Sequence, residues 1–283
     1  IFLMEYSYQN KIVIDGNTIG YDKPCYIIAE IGINHNGNIV LAKKLIDVAV
    51  GAGANAVKFQ KRDLESIYQQ EILKTPSLDS QGTEILIDVL KNVEFNEDDF
   101  QEIVNYCKER EITFLCTPWD IPSVNFLEKL DVPAYKIASA DLTNFPLIAH
   151  ISKLNKPMII STGMSEMEEI ERTVDFVKEK NAAFSLLHCN STYPSPPELL
   201  NLSLIPMLRE KFNVPIGYSG HESSILPSIT AANMGAVIIE RHITLDKTME
   251  GLDQAASLNP DEFKELIQKV RESETARGTP IKQ

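Results

Sequence analysis

The sequence lacks the features that mark membrane and secreted proteins. No apolar run among its 283 residues approaches the roughly 20 that a membrane-spanning helix needs. The first ten residues lack the basic start and the cleavage site of a secretory signal. The four cysteines, at positions 25, 107, 116 and 189, form no CxxC pair, and three of them lie in apolar runs. We therefore expect a cytoplasmic protein with reduced, buried thiols and no membrane partner.

The sequence also lacks any run rich in lysine and arginine, and its formal net charge is −13. This balance argues against nucleic acid as a partner, because nucleic-acid affinity depends on phosphate neutralisation by basic residues. An anionic substrate would need a local basic pocket. Such a pocket is compatible with the acidic surface, because distant surface charges are screened beyond about 8 Å at physiological salt.

What the sequence does contain is an eightfold alternation of short apolar runs and helical patterns. The runs are rich in Val, Ile, Leu and Phe without alternation, which is typical of strands covered on both faces. The predicted strands are 25–30, 56–60, 113–117, 134–139, 158–162, 184–189, 216–219 and 237–242. We predict a single domain, 1–283, folded as a (β/α)8 barrel. A doubly wound open sheet is the alternative, although no GxGxxG turn is present.

Several boundaries follow from local signals. Residues 11–20 predict a hairpin that closes the bottom of the domain, with Asp-Gly-Asn at its turn. Helices are predicted over 39–52, over 97–110 after Asn96, over 166–180 after a capping Ser165 with Glu168, and from Pro260 to about Glu274. Residues 275–283 are predicted to begin a linker. The connection 61–93 is long for this fold and predicts either an active-site lid or a surface insertion.

Two matched segments suggest a metal site. Pro215–His221 and Ala236–His242 are each a short apolar run that ends in a histidine, and a helix-length stretch separates them. Neighbouring parallel strands place their carboxyl ends side by side, so His221 and His242 are expected to converge. Two imidazoles at an open position suit zinc, manganese or iron. The alternative is that each histidine caps its own strand through hydrogen bonds.

Polar residues occur at the end of every predicted strand. They are Glu30, Lys58, Gln60, Thr117, Lys136, Ser139, Ser161, Thr162, His188, Asn190, Ser219, His221, Glu240 and His242. Lys58 and Lys136 lie between apolar neighbours, and a buried lysine is costly without a partner. We interpret the two lysines and the nearby hydroxyls as a pocket for a small anion such as a phosphate that also bears a carboxylate. Alternatively each lysine pairs with an acid such as Glu30 or Asp141. Lys136 could also form a Schiff base, as in class I aldolases.

These residues sit in motifs that together resemble the sialic acid synthase (N-acetylneuraminate synthase) family. The motifs are Ile28–Gly37, Ala56–Gln60, Ala134–Ser139, Ser161–Met164, Leu187–Pro194, Gly217–His221 and Glu240–His242, in the family's order. The resemblance implies a (β/α)8 barrel. It also implies condensation of phosphoenolpyruvate with an N-acetylated hexosamine, such as N-acetylmannosamine, to give a sialic or other nonulosonic acid and phosphate. A pyruvate-dependent Schiff-base lyase and a non-catalytic sugar-phosphate binding barrel are the alternatives.

The resemblance also implies roles for individual residues. His221 and His242 match ligands of a divalent metal, most often Mn²⁺, with Mg²⁺ and Co²⁺ as alternatives. Residues that match the phosphoenolpyruvate pocket are Lys58, Thr117, Lys136, Ser139, Ser161, Tyr193 and Ser219, with His188 beside it and Asn190 and Ser191 following. Glu30 and Gln60 match the sugar side. Glu30, Lys58, Lys136 and Asp141 are the candidate catalytic residues.

The sequence departs from the family pattern at three positions. Asp141 stands where many members have glutamate, Gly220 where some have aspartate, and Ser191 where some have asparagine in the pocket. The stretch 244–254 is more similar to bacterial synthases of related acids, so the identity of the sugar stays open. Family members are usually homodimers in which a small antifreeze-like domain follows the barrel and covers the partner's sugar site. We expect these 283 residues to comprise the barrel without that domain.

Overall fold

The computed structural model describes residues 10–74 and 83–278. Eight parallel strands form a closed barrel in the order β10-β3-β4-β5-β6-β7-β8-β9. The strands are β3 Tyr26–Gly32, β4 Ala56–Lys61, β5 Thr113–Pro118, β6 Tyr135–Ile137, β7 Met158–Ser161, β8 Phe184–Cys189, β9 Ile216–Gly220 and β10 Ile238–His242. All of their residues are buried except Gln60 and Lys61 at the end of β4. The predicted barrel and the presence of its eight strands are therefore confirmed, and the doubly wound sheet is excluded. The predicted bounds of the strand 134–139 are wrong, because β6 ends at Ile137 and a 3-10 turn begins at Ser139.

Each barrel strand is followed by a helix that packs on the outside. These helices are α1 Ile39–Ala52, α5 Glu97–Glu109, α6 Ile121–Lys129, α7 Phe145–Ser152, α8 Met167–Glu179, α9 Leu204–Phe212, α10 Leu226–Asn233 and α11 Pro260–Arg277. Their apolar stripes meet the outward side chains of the strands in one large hydrophobic core. The start of α5 after Asn96 and the start of α11 at Pro260 are confirmed. Asn96 and Asn259 each form a capping box with the acid three residues later.

The hairpin closes the bottom of the barrel, as predicted. Strands β1 Lys11–Ile14 and β2 Asn17–Gly20 pair antiparallel across the Asp-Gly turn. Ile12, Ile14 and Ile19 are at most 4% exposed and belong to a second core inside the barrel. That core includes Ile28 and Leu115, which point inward from β3 and β5. The lower half of the barrel is thus packed, and the interior space that is left lies at the carboxyl ends of the strands.

Two predicted helix boundaries are wrong. Helix α8 is capped by Glu166, which forms its box with Glu169, rather than by Ser165 with Glu168. The helix begins at Met167, one residue later than predicted, so the capping positions also move by one residue. Helix α11 continues to Arg277, three residues beyond the prediction, because the first residue unsuited to a helix is Gly278 at φ +52°. Residues 275–277 are therefore helical, and 279–283 lie outside the described residues.

The long connection after β4 contains helices. They are α2 Leu64–Ile67, α3 Gln70–Lys74 and α4 Thr83–Val93. Leu90 and Val93 of α4 are buried against Ile33, which follows β3. The segment 75–82, with Pro76 and Gly82, lies outside the described residues. The connection is thus a helical insertion, and its action as a lid stays a prediction.

All four cysteines lie within the described ranges and are buried free thiols, as predicted. No helix within 10–74 or 83–278 combines the length and the apolar character that crossing a bilayer would require.

Candidate active site

The strand register brings the predicted residues together at the carboxyl end of the barrel. Glu30 of β3 lies beside His242 of β10 on one side and beside Lys58 of β4 on the other. Gln60 lies beside Thr117 of β5. Residues far apart in sequence therefore become lateral neighbours because closure of the barrel pairs its first strand with its last.

An irregularity in β3 creates space at this point. The register shifts between Glu30 and Gly32, and Gly32 has φ +55°. A Cβ atom at position 32 would lie 3.1 to 3.3 Å from Glu30 Oε1, Gln60 Nε2 and His242 Cε1. The missing side chain lets these three groups approach one another, and the bulge directs them into the interior.

Lys58 is held in a buried network of charges. Its Nζ lies 2.7 Å from Glu30 Oε2 and 3.9 Å from Glu240 Oε2, and it donates to Thr117 Oγ1 at 2.9 Å. Gln60 Nε2 donates to Glu30 Oε1 at 3.0 Å. Burial opposes the charge of Lys58, but the carboxylates of Glu240 and Glu30 outweigh it and raise the pKa. Lys58 is therefore a fixed cation.

Lys136 is also buried but lacks a carboxylate at such close range. Its Nζ donates to Ser161 Oγ at 2.6 Å and lies 3.7 Å from Glu240 Oε1. Burial lowers the pKa of Lys136, and the attraction of Glu240 offsets this only in part. Ser219 Oγ donates to Glu240 Oε1 at 3.1 Å, so Glu240 links the two lysines to a hydroxyl of β9.

A cavity of about 180 Å³ opens above these groups. Twelve of the predicted site residues line it: Glu30, Lys58, Gln60, Thr117, Lys136, Ser139, Ser161, Ser191, Tyr193, Ser219, His221 and His242. Glu240 and Trp119 also line it; Glu240 was predicted only as a strand-end polar residue without a role, and Trp119 was not predicted. Both could have been found from the alternation of strand side chains, because each lies two residues from a predicted one, His242 and Thr117 respectively.

Three predicted site residues do not line this cavity. His188 and Asn190 alternate with the inward-facing Cys189, so they point toward the helices. His188 Nε2 contacts the Leu200 carbonyl oxygen at 2.6 Å, and Asn190 Nδ2 donates to the Leu199 carbonyl oxygen at 3.0 Å. The 3-10 turn Ser139–Asp141 rotates Asp141 away from the centre, where it accepts a hydrogen bond from Asn144. These three positions do not support direct contact with a ligand in the central cavity.

His221 and His242 converge as predicted, with ring centroids 5.6 Å apart. His221 Nδ1 lies 2.7 Å from the Asn190 carbonyl oxygen, which can only accept, so Nδ1 carries the proton. Nε2 of His221 is then an acceptor, and the Tyr193 hydroxyl donates to it at 2.9 Å. His242 Nδ1 is buried without a hydrogen-bond partner. Burial lowers the pKa of both rings, which favours neutral imidazoles, so each ring has one nitrogen with a lone pair; that of His221 accepts from Tyr193 in this structure.

The donor set fits a divalent metal with an open coordination sphere. A carbonyl that fixes the tautomer of a ligating histidine is a common feature of metal sites. A buried ring nitrogen without a hydrogen-bond partner, such as Nδ1 of His242, is unusual and is consistent with a missing ligand. Within the described residues, no group of three or more His, Cys, Asp or Glu side chains is arranged to hold a metal ion, so the two histidines would be the only such ligands. The two histidines would thus leave further positions for substrate oxygens.

Comparisons with known proteins agree with this site. The NeuB family model matches residues 45–282. The chain is 42% identical to human N-acetylneuraminate-9-phosphate synthase over 271 residues, which cover 95% of this chain and 75% of the human protein. It is 38% identical to N,N'-diacetyllegionaminic acid synthase of Campylobacter jejuni over 265 residues, covering 92% of this chain and 79% of that protein.

A solved structure gives the same result. The crystal structure of N-acetylneuraminic acid synthetase from Leptospira borgpetersenii, in complex with citrate, superposes with a TM-score of 0.86 at 33% identity. The alignment covers 96% of this chain and 92% of that one. The resemblance first seen in the strand-end motifs is therefore confirmed over nearly the whole chain, and the protein is an enzyme that belongs to the NeuB family.

Proposed function

We propose that the protein condenses phosphoenolpyruvate with the open-chain aldehyde of an N-acetylated hexosamine. C3 of phosphoenolpyruvate forms a bond to the aldehyde carbon, and the aldehyde oxygen takes up a proton. Water adds to C2, and the bond between C2 and the bridging oxygen then breaks. The products are a nine-carbon 2-keto acid of the sialic or nonulosonic type and inorganic phosphate.

The observation that carries this proposal is the pair of buried lysines at the floor of a small cavity. Lys58 and Lys136 are 3% and 4% exposed, and the hydroxyls of Thr117, Ser161 and Ser219 are buried around them. Cations and hydroxyl donors fixed in a dry site suit a small, highly charged anion. A cavity of about 180 Å³ has room for a molecule the size of phosphoenolpyruvate.

The side chains contribute mainly position and charge. Lys58 and Lys136 bind the carboxylate and phosphate, which holds C3 toward the acceptor and favours phosphate as a leaving group. The hydroxyls of Thr117 and Ser161, each bonded to a lysine, orient these ammonium groups. Glu30 is fixed through both oxygens and orients either the attacking water or a sugar hydroxyl.

The charge balance supports a divalent cation at His221 and His242. The two lysines and the two glutamates Glu30 and Glu240 sum to zero. Phosphoenolpyruvate adds about −2.5 to −3 charges at neutral pH, which this set does not neutralise. When bound, a divalent metal such as Mn²⁺ supplies positive charge and a Lewis acid for the aldehyde oxygen.

A phosphate-release assay tests the function. Purified protein with Mn²⁺ is given phosphoenolpyruvate together with each of a panel of N-acetylated hexosamines, and phosphate and the keto acid are both measured. We expect equal amounts of the two products, and in ¹⁸O-labelled water the label should enter the keto acid rather than the phosphate. Phosphate release that needs no sugar, or label in the phosphate, would refute the proposal.

One observation favours a second candidate. A buried lysine with a lowered pKa, whose nearest carboxylate is that of Glu240 at 3.7 Å, is typical of lysines that form Schiff bases. In that case pyruvate would be the substrate. Borohydride reduction in the presence of pyruvate separates the two, because a covalent adduct on Lys136 is expected from the lyase and none from the condensing enzyme.

A further inference from the structure

An ion pair is buried beside the two histidines at the ends of β9 and β10. Arg241 of β10 is completely buried, and Glu222, which follows β9, is 1% exposed. Arg241 Nη1 donates to Glu222 Oε1 at 2.9 Å. Each partner is the chain neighbour of one histidine, because Glu222 follows His221 and Arg241 precedes His242. The pair therefore joins the two segments that carry the proposed metal ligands.

The Arg241 guanidinium also holds the backbone of the loop after β9. Its Nη2 donates to the Glu222 carbonyl oxygen, and its Nη1 donates to the Ser224 carbonyl oxygen at 3.1 Å. Side chains alternate along a strand, and Glu240 and His242 line the central cavity, so Arg241 between them points away from it. Because a guanidinium presents its donors in a rigid, planar fork, these contacts fix the loop relative to β10.

The Glu222 carboxylate is held from three sides. Besides its contact with Arg241, it accepts a hydrogen bond from the Tyr218 hydroxyl at 2.8 Å and another from Ser228 Oγ at 2.9 Å. Tyr218 lies in β9 and Ser228 in α10. Arg241 Nη1 also donates to Ser228 Oγ at 2.9 Å. The network thus connects β9, β10 and α10 next to the histidines.

Stability alone is a weak explanation for this pair. A buried ion pair is often no more stabilising than well-packed apolar residues of similar volume, because both charges must leave water. In addition, Arg241 Nε has no hydrogen-bond partner, and a buried donor without one is destabilising. The guanidinium is therefore placed where it reaches the loop after β9, at the expense of one of its own donors.

The two imidazoles are restrained unequally. The ring of His221 is oriented by the Asn190 carbonyl oxygen, which lies 2.7 Å from Nδ1. Nδ1 of His242 has no hydrogen-bond partner, and the Asp253 carboxylate lies 3.9 Å from it. The direction of the His242 ring therefore depends on its backbone, and the neighbouring Arg241 ties that backbone to the segment of His221. Two ligands can bind one ion only if both nitrogens are at bonding distance from the same point.

We propose that Arg241 and Glu222 are positioning residues, which set the separation and direction of the His221 and His242 imidazoles and thereby the affinity for a divalent metal. Neither side chain lines the central cavity. Partners that orient metal ligands in this way contribute about 10- to 100-fold to metal affinity. The inference rests on the proposed function, because it concerns the metal site of that reaction.

The experiment compares two double variants, each of which removes an ion pair without leaving a buried charge. Glu222→Gln/Arg241→Met removes the pair beside the histidines. Arg271→Met/Glu274→Gln is the matched control at the opposite end of the barrel, where Arg271 Nη1 lies 3.0 Å from Glu274 Oε2 and the Cys25 backbone N–H donates to Glu274 Oε1 at 2.5 Å. Calorimetric titration of the full chain with Mn²⁺ alone measures metal affinity, and urea unfolding of the same samples measures stability.

We expect the Mn²⁺ dissociation constant to rise about 10- to 100-fold in Glu222→Gln/Arg241→Met and to change less than about twofold in the control. Arg241→Lys separates position from charge, because an ammonium group keeps the charge but lacks the fork that reaches the carboxylate and two carbonyl oxygens together. It should also weaken Mn²⁺ binding. Wild-type affinity in Arg241→Lys would assign the effect to charge, and wild-type affinity in the double variant would remove the effect, so either would overturn the inference. An equal loss of affinity in the control would also overturn it, since general destabilisation would then be the cause.

A second measurement needs no metal. In protein labelled with ¹⁵N-histidine, long-range ¹H–¹⁵N spectra distinguish the tautomers, and His221 should show a proton on Nδ1 in the wild type and in the control. This pattern should be lost or mixed in Glu222→Gln/Arg241→Met, because the contact with the Asn190 carbonyl depends on where the ring is held. If the wild type binds no Mn²⁺, the metal part of the proposed function fails and the tautomer pattern decides the inference. Its loss in the double variant would then support the positioning of the imidazoles, and an unchanged pattern would overturn it.

Discussion

The two buried lysines should respond differently to the same substitution. In Lys58→Met, the Glu30 carboxylate loses an ammonium group at 2.7 Å and stays buried at 2% exposure. In Lys136→Met, the nearest carboxylate is that of Glu240 at 3.7 Å, and Glu240 keeps Ser219 and Lys58 as neighbours. One variant therefore creates an unpaired buried charge, whereas the other removes a charge that burial already disfavours.

The expected magnitudes differ accordingly. Removing one partner of a buried ion pair costs about 3–5 kcal/mol, so Lys58→Met should lose that much free energy of unfolding. Lys136→Met should change it by less than about 1 kcal/mol, because it replaces a poorly paired charge with an apolar chain of similar length. Each loses a charge-assisted contact to phosphoenolpyruvate worth about 1.5–3 kcal/mol, which is about a 10- to 150-fold loss of affinity.

Urea unfolding and calorimetric titration with phosphoenolpyruvate measure the two effects separately. The double variant Lys58→Met/Glu30→Gln is the control, because a neutral amide at position 30 no longer needs a cation. It should recover at least half of the stability lost in Lys58→Met. Equal unfolding midpoints for the two single variants would show that the pair between Lys58 and Glu30 is not what stabilises this end of the barrel. Unchanged phosphoenolpyruvate affinity in both would refute their role as the anion site.

Three further predictions concern the metal, a glycine and pH. A chelator should abolish turnover, and adding Mn²⁺, Mg²⁺ or Co²⁺ should restore it. His221→Ala and His242→Ala should each fold but show no activity when metal is added. Full activity of either variant in metal-free buffer would contradict this. Gly220→Asp, the residue that the family resemblance implies for some members, should cost about 1–3 kcal/mol in urea unfolding, because a Cβ there would lie 2.6 Å from the Glu222 carboxylate. Unaltered stability would show that the Glu222 side chain can move aside. The pKa of Lys136 is lowered in the folded protein, so between that lowered pKa and the ordinary value of 10.5 the unfolded chain binds more protons at Lys136 than the folded protein does. The unfolding free energy of the wild type should therefore rise with pH across this window relative to that of Lys136→Met. Parallel plots of unfolding free energy against pH for the two proteins would disprove this.

The hydrogen bonds next to the two histidines explain why a glycine stands at position 220. Glu222 accepts hydrogen bonds from Tyr218, Ser228 and Arg241, and Arg241 is completely buried. The hydrogen bonds between Glu222 and Arg241 thereby hold the ends of β9 and β10 together next to His221 and His242. Gly220 leaves room for the Glu222 carboxylate, so the glycine and the buried pair belong together.

The sequence by itself determined the barrel and most of its site. Strands that are covered on both faces need continuous apolar runs, which makes them recognisable in the sequence. The parallel strands of a barrel all end at the same rim. Twelve of the predicted site residues could therefore be placed in one cavity without a structure. The motifs then identified the family. Apolar runs and motifs can be recognised in a sequence because each depends on only a few neighbouring residues.

The tertiary structure alone decided which strand-end residues face inward and how their charges pair. His188 was predicted to bind substrate beside the pocket and Asp141 to be catalytic, but strand alternation and a 3-10 turn direct both away from the central cavity. The different partners of Lys58 and Lys136 depend on the register across β3, β4 and β10, which closure of the barrel sets. Contacts across 180 residues or more, such as those of Glu240 with Lys58, have no local signature, because a sequence pattern specifies the face of an element and not its distance from another.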